Sequence, residues 1–261
     1  MIYIAYHKPY PLLADDPAYT CLHVGKAISD RNMGMIGDHT GDHISAKNKT
    51  FSELTGLYWI WKNTTSEYAG LCHYHRFFSC KKPDLMMQIK KIGEYLIRQG
   101  KHRSGIYYVS NIKKIELILT GMEASRLLKN YDAIIPRGRK MRYSVWKQYE
   151  KRHIINDLKL TREIILEKYP DFIVAFNEVM EKKEIVPCNM FVMKRHLFDA
   201  YMGWLFDILF ELEKRTDTSG YDLYQQRLYG FVSERLLDVW ITKTKLNTVR
   251  LPILFFRKNP G

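Results

Sequence analysis

The sequence predicts an α/β fold that ends in a helical region, and three observations carry that reading. Short β-branched and aromatic runs recur at Ile2–Tyr6, Tyr68–Tyr74 and Asp132–Pro136, each of strand length and bounded by turn formers or charge. Between them lie segments whose apolar residues repeat at helical spacing, the alternation that builds a sheet layered with helices. From about residue 141 onward the helical period dominates, with one strand interrupting it. The chain has 261 residues, 46% of them hydrophobic and 13% aromatic, enough to bury a full core without disulfide or metal support. It carries no internal repeat, low-complexity tract or obvious linker, so residues 1–261 read as one domain.

Taken in order, Ile2–Tyr6 is a buried first strand that runs into a loop of His7, Lys8, Pro9 and Tyr10. Loops at the C-terminal ends of strands are where open α/β sheets place ligands. Cys21–Gly25 is a second short strand, and residues 31–48 form a polar, glycine-bearing loop too long to be a mere connection. Phe51, Leu54, Leu57, Tyr58 and Trp61 share one face of a helix over Phe51–Lys62, with Ser45 or Asn48 placed to cap its start. Tyr68–Tyr74 is a central strand that breaks off into His75, Arg76 and two phenylalanines. Ile115–Lys129 reads as a helix and Asp132–Pro136 as a buried strand closed by proline. Helices are then expected over Ser144–His153, Asp157–Lys182, Arg195–Arg215 and Asp222–Lys243, with the strand Asn189–Lys194 among them.

The net charge of +13 calls for an acidic partner, and the basic excess is concentrated between Arg126 and Arg162. Nucleic acid, a phosphorylated ligand and an anionic membrane surface all satisfy that charge. No apolar run reaches the roughly 20 residues of a membrane-spanning helix; the nearest, Ala200–Leu212, is interrupted by Asp207 and Glu211. The four cysteines, Cys21, Cys72, Cys80 and Cys188, form neither a C-x-x-C pair nor a His/Cys cluster at zinc spacing, and read as reduced thiols. The chain enters a strand pattern at once, without a basic leader and apolar signal core, so a cytoplasmic location is expected.

Three segments could carry chemistry. In GDHTGDHISAKN, Gly37–Asn48, a glycine-bearing loop that opens a helix brings together Asp38, Asp42, Ser45, Lys47 and Asn48. Backbone N–H groups and a lysine there can meet phosphates, while the carboxylates can hold a ribose or a metal. The alternative is a solvated loop with helix caps, and no Walker A or G-x-G-x-x-G pattern decides against it. In HYHRFF, His73–Phe78, Arg76 at a strand end is suited to neutralise a diphosphate leaving group. Against this, a lone histidine such as His73 or His75 is more often a structural hydrogen-bonding residue than a catalyst. In GYDLYQQRLYGFVSERLLDVW, Gly220–Trp240, Arg227 and Glu234 are seven apart and share a helix face. A buried acid there can serve as a general base, and a structural ion pair is the competing reading. The basic, aromatic stretch Arg137–His153 could meet phosphate or a membrane surface, or be a solvated helix.

In combination, IYIAYHKPY, GDHTGDHISAKN with FSELTGLYWIWKN, YAGLCHYHRFF, YDAIIP, CNMFVMK and YGFVSERLLDVW run in order over nearly the whole chain. Together they resemble the capsular and exopolysaccharide biosynthesis glycosyltransferase family formerly described as a domain of unknown function, which includes galactofuranosyltransferase-like enzymes. The resemblance implies a GT-A-like, Rossmann-type sheet over about residues 1–140 that binds a nucleotide sugar, followed by a mainly helical acceptor region over about residues 141–261. It implies a UDP-sugar donor, a lipid-linked oligosaccharide acceptor at the inner face of the plasma membrane, and no nucleic-acid partner. The donor-site residues it implies are His7, Lys8, Asp42, Ser45, Lys47, Asn48, Trp59, His73, Tyr74, Arg76 and Arg235, with Asn189 toward the acceptor; the loop reading adds Asp38 to the donor site. His43 and His75 depart from the family pattern, which carries asparagine and a second arginine there. No Asp-x-Asp follows the Tyr68–Tyr74 strand, where GT-A enzymes normally hold Mg²⁺ or Mn²⁺; His73, Tyr74 and Arg76 occupy that place.

For transfer with inversion a carboxylate must take the acceptor's proton, and Glu234 is the first choice of base, with Asp222 and His153 behind it. The rival from another class is a basic, non-catalytic protein that binds nucleic acid or an anionic membrane. It explains the charge but gives the histidine- and arginine-bearing loops no purpose, and no nucleic-acid module signature is present. A nucleotide-sugar hydrolase or phosphotransferase shares the donor pocket and differs only in the acceptor.

Overall fold

The computed structural model describes residues 1–81, 87–89, 92–93, 105–109 and 112–257. Among the described residues, ten strands form one mixed sheet: β1 (Ile2–Tyr6), β2 (Tyr19–His23), β3 (Ile36–Gly37), β4 (Tyr68–His73), β5 (Arg76–Phe78), β6 (Ile106–Val109), β7 (Ala133–Pro136), β10 (Phe191–Lys194), β11 (Thr248–Leu251) and β12 (Ile253–Phe256). The short strands β8 (Arg139–Lys140) and β9 (Glu184–Ile185) pair separately. The spatial order is β11-β7-β10-β4-β1-β2-β3, while β5 links β4 to β12 and β12 carries β6. Most pairings are parallel; β10 is antiparallel to β4 and β7, and β5 is antiparallel to β4 and β12. This is the α/β class that the alternating pattern predicts.

Strand periodicity explains why the sheet has two cores. Side chains of a strand point alternately to opposite faces. Tyr3 and Ala5 of β1, Leu71 of β4, Ile135 of β7 and Phe191 and Met193 of β10 enter one core, packed under the helices. Ile2, Ile4 and Tyr6, Cys72, Ile134 and Val192 from the same strands enter the other. Five consecutive buried residues in β1 are what a strand covered on both faces requires.

The helices are α1 (Asn48–Phe51), α2 (Leu54–Asn63), α3 (Gly121–Asn130), α4 (Val145–Glu150), α5 (Ile155–Lys168), α6 (Ile173–Glu181), α7 (Arg195–Arg215) and α8 (Leu228–Thr244). Four expected helices differ from prediction, each for a local reason. Phe51–Lys62 is split because Ser52 adopts a positive φ of 53° between α1 and α2. Ile115–Lys129 begins as a 3₁₀ turn, and α3 starts only after Thr120, whose hydroxyl and the Glu123 carboxylate close a capping box. Asp157–Lys182 breaks at Tyr169, because Pro170 has no N–H to continue the ladder of α5. Asp222–Lys243 starts late, since residues Gln225–Arg227 form a 3₁₀ turn before α8. The expected strand Cys21–Gly25 lies slightly earlier, and β3, β5, β6, β8, β9, β11 and β12 are strands that the pattern did not single out.

One topological feature positions the site. From β1 the chain moves outward through β2 and β3, then returns by α1 and α2 to β4 on the other side of β1. The order of strands therefore reverses between β1 and β4. In open α/β sheets the crevice at the C-terminal ends of two such strands is the place left free for a ligand.

Candidate functional site

A cleft of about 720 Å³ opens at that reversal, within the 300–1,000 Å³ typical of small-molecule sites. Ala5 and His7 reach it from the end of β1, Val24 from the end of β2, and His73, Tyr74, His75 and Arg76 from the turn between β4 and β5. The turn Pro187–Cys188 before β10, Arg139 of β8, and Arg227 and Glu234 at the start of α8 form the facing wall. Asn48, Lys49, Ser52 and Glu53 close one side, and Ile106, Tyr108 and Phe255 the other.

The β4–β5 turn is held by packing. Tyr74 contacts the rings of Tyr6, His7, Tyr10 and His75, with centroids 4.0–5.8 Å apart. His75 in turn lies 4.6 Å from the ring of Phe255, and the Arg76 guanidinium sits 4.8 Å above that ring. Burial, with Arg76 as the next cause, pushes both His73 and His75 down to about 3. Both imidazoles are therefore neutral near pH 7. His73 Nε2 meets the Cys188 carbonyl oxygen at 2.9 Å.

The segment Val186–Asn189 is fastened from α8. Glu234 Oε1 accepts the Cys188 N–H at 3.0 Å, and one helical turn later Asp238 Oδ2 accepts the Val186 N–H at 2.9 Å. Cys188 and Asn189 both adopt positive φ, 81° and 47°, a conformation that carries strain at a cysteine and is tolerated by asparagine. Glu234 Oε2 also accepts from Arg235 Nη1 at 3.1 Å. Asn189 donates to Glu53 Oε1 at 2.8 Å and to the Gly230 carbonyl, and accepts from Ser233. It thereby ties α8 to the start of α2.

Of the residues expected at a site, His7, Asn48, His73, Tyr74, Arg76 and Glu234 line one cleft. Lys8 stands beside it, its ammonium 5.7 Å from the Tyr74 ring. The remainder lie outside the lining of that cleft. Asp38 is fully buried and accepts from the N–H groups of Gly25 and Lys26 and from the Ser45 hydroxyl, so Asp38 and Ser45 shape the loop from beneath. Asp42 accepts from Tyr58, and Lys47 pairs with Glu213 at 2.5 Å. Trp59 is a core ring that donates to Thr40, and Asn189 is 3% exposed, consumed by its own hydrogen bonds. Arg235 is 1% exposed and bonds to Phe231, Glu234 and Gln148. Asp222 is exposed and caps the 3₁₀ turn through the Gln225 N–H. His153 is packed among Tyr149, Tyr224 and Phe231, and burial pushes it down to about 4.

Glu53, Arg139, Tyr108 and Phe255 are cleft residues that the sequence reading did not assign. Arg139 lay inside the basic stretch already noted, and the IYYV and ILFF runs of β6 and β12 carry a plain strand signal. Glu53 carries none. Arg227 and Glu234 share the cleft but make no ion pair with each other; Glu234 pairs with Arg235, and Arg227 Nε donates to Ser52 at 3.1 Å. Among the described residues, no group of three His, Cys, Asp or Glu side chains could hold a metal ion, and no helix is long and apolar enough to cross a membrane.

The apo structure of the bifunctional glycosyltransferase WbbM matches the chain with a TM-score of 0.84 at 28% sequence identity, over 98% of this chain and 45% of that one. The chain thus spans under half the length of that relative. No curated protein sequence matches it. Residues 1–245 match the family described as "Domain of unknown function (DUF4422)", and the chain belongs to that family.

Proposed function

We propose that the chain is a GT-A-like glycosyltransferase that moves a sugar from a UDP-sugar to a lipid-linked oligosaccharide in the synthesis of a bacterial cell-surface polysaccharide, with galactose or galactofuranose as the transferred unit. The observation that carries this reading is the likeness to WbbM over 98% of the chain. A cleft at the strand-order reversal, lined by arginines and two carboxylates, supports it. The nucleoside would dock at the β1 and β2 ends by His7, Val24 and Asn48, with its diphosphate toward Arg76. The acceptor hydroxyl attacks the anomeric carbon, the bond from that carbon to the diphosphate oxygen breaks, and a carboxylate takes the hydroxyl proton.

Glu234 is the proposed base, because it reaches the cleft and its carboxylate is fixed by Cys188 and Arg235. One observation favours Glu53 as the rival: among the described residues only its Oε1 is engaged, by Asn189, whereas both Glu234 oxygens accept protein donors. Among the described residues, the donor set offers no three-ligand site for Mg²⁺ or Mn²⁺. Incubation with UDP-galactose or UDP-galactofuranose, with and without a lipid-linked saccharide, tests the reading. Acceptor-dependent release of UDP with a glycosylated product supports transfer; release that is equal without acceptor identifies a hydrolase and overturns it.

A further inference from the structure

Three arginines in the cleft have no ion-pair partner among the described residues. Arg76 opens β5, Arg139 opens β8 and Arg227 precedes α8, and all three line the same space. None makes an ion pair among the described residues, whereas Arg195, Arg215, Arg235 and Arg250 each face a carboxylate. The Nε atoms of Arg76 and Arg139 are sealed from solvent and make no hydrogen bond, as is Nε2 of His75 beside them. A dry, unpartnered donor on a charged group is costly, and in a native protein it calls for an explanation such as a missing ligand.

Two of these side chains are held in place. Arg76 is stacked on Phe255, and Arg227 is anchored by its Nε bond to Ser52 with its guanidinium 5.7 Å from the Phe231 ring. Their charges converge: Arg76 and Arg227 both act on His73, and Arg76 and Arg139 both act on Cys188. The two cleft carboxylates are turned to other partners, Glu53 to Asn189, and Glu234 to Cys188 and Arg235. A divalent cation entering this space would meet like charge at short range without a ligand set to compensate it.

We propose that Arg76, Arg139 and Arg227 form a cradle for a pyrophosphate group that works without a divalent cation. Resting on the donor-site reading above, it binds the diphosphate of the nucleotide sugar. When the bond to the anomeric carbon breaks, the electron pair stays on the β-phosphate oxygen, and the guanidinium groups donate to the charge that gathers there. Planar forks suit this task, because they present paired donors to phosphate oxygens.

The test is isothermal titration of the full chain with inorganic pyrophosphate in a chelating buffer, repeated with Mn²⁺ and with variants whose melting is checked first. The wild type binds with chelator present, and Mn²⁺ changes the affinity by less than about threefold. Arg139→Gln and Arg227→Gln each weaken binding about tenfold or more, the loss of a charge-assisted contact. Arg139→Lys, which keeps the charge, retains a larger share and replaces the glutamine variant should that one not fold. Lys147→Gln, in the basic stretch but outside the cleft, binds like the wild type. Binding that requires Mn²⁺, glutamine variants that bind like the wild type, or an equal loss in Lys147→Gln would each overturn the cradle. Transfer of sugar with no pyrophosphate binding removes the cradle alone, while pyrophosphate binding without transfer from any nucleotide sugar removes the transferase reading and keeps the cradle.

Discussion

Glu234 accepts the backbone N–H of Cys188 at 3.0 Å, and the carbonyl of that same residue meets His73 Nε2 at 2.9 Å. Through one residue, Cys188, α8 is connected to the end of the central strand. The proposed base is therefore also a fastening for the opposite wall.

Glu234→Gln separates these two roles. The amide oxygen can still accept from Cys188, but the guanidinium of Arg235, 1% exposed, loses its counter-charge. A stability loss of about 2–3 kcal/mol is expected, together with a fall in turnover of about a hundredfold or more. Glu53→Gln is expected to keep at least about a tenth of the turnover, because it is not the base. Urea unfolding and acceptor-dependent UDP release measure both, and the reverse pattern would assign the base to Glu53.

Asp38 provides a structural counterpart. Its carboxylate receives the N–H groups of Gly25 and Lys26 and the Ser45 hydroxyl in a fully buried position. Asp38→Ala leaves those donors dry and is expected to cost about 3 kcal/mol or more. Pyrophosphate affinity of the folded fraction stays near that of the wild type, which calorimetry on the purified variant checks.

Gly70 lies where β4 meets β10. A Cβ there would come within 2.7 Å of the Val192 Cα and collide with the Phe191 carbonyl oxygen. Both are backbone atoms that cannot rotate away, so Gly70→Ala is expected to cost about 3 kcal/mol or prevent folding. Thermal melting of the soluble fraction reads this directly.

Acid should unfold the protein through its buried histidines. His73 titrates near 3 in the folded chain against an ordinary value of 6.5. Between those values the unfolded chain takes up a proton that the folded chain refuses, so stability falls as pH drops from about 6.5 toward 3 and is level above that window. His75, pushed down to about 3, and His153, to about 4, act in the same direction. Each adds a slope of at most about 1.4 kcal/mol per pH unit. Urea midpoints measured at pH 7 and pH 5 check the sign, and a neutral replacement, His73→Gln, should flatten the dependence.

The α/β class and the site's main landmarks were legible because they depend on local pattern. A strand buried on both faces leaves a run such as Ile2–Tyr6, and the loop that follows it brings His7 to the cleft. The helix breaks at Ser52 and Tyr169 were harder to see, since helical period continues on both sides of each. The site itself is assembled from residues distant in sequence: Phe255 meets Arg76 through the pairing of β12 with β5, and Arg139 joins them in the cleft lining, which no spacing reveals. Asp38, Trp59, Asn189 and Arg235 carry the residue types expected of a ligand site, and burial turned them to backbone and side-chain partners instead. Residue type alone does not distinguish a ligand-binding carboxylate from one that satisfies a buried loop.

Binding of a nucleoside diphosphate in the cleft is read by thermal unfolding of the wild type and Arg76→Ala against UDP, GDP, CMP and dTDP, each with and without Mn²⁺. A ligand that binds only the native state raises the melting temperature. UDP is expected to do so for the wild type with or without Mn²⁺, and the shift is expected to be lost in Arg76→Ala. No shift with any nucleotide, or an equal shift in the variant, would contradict it.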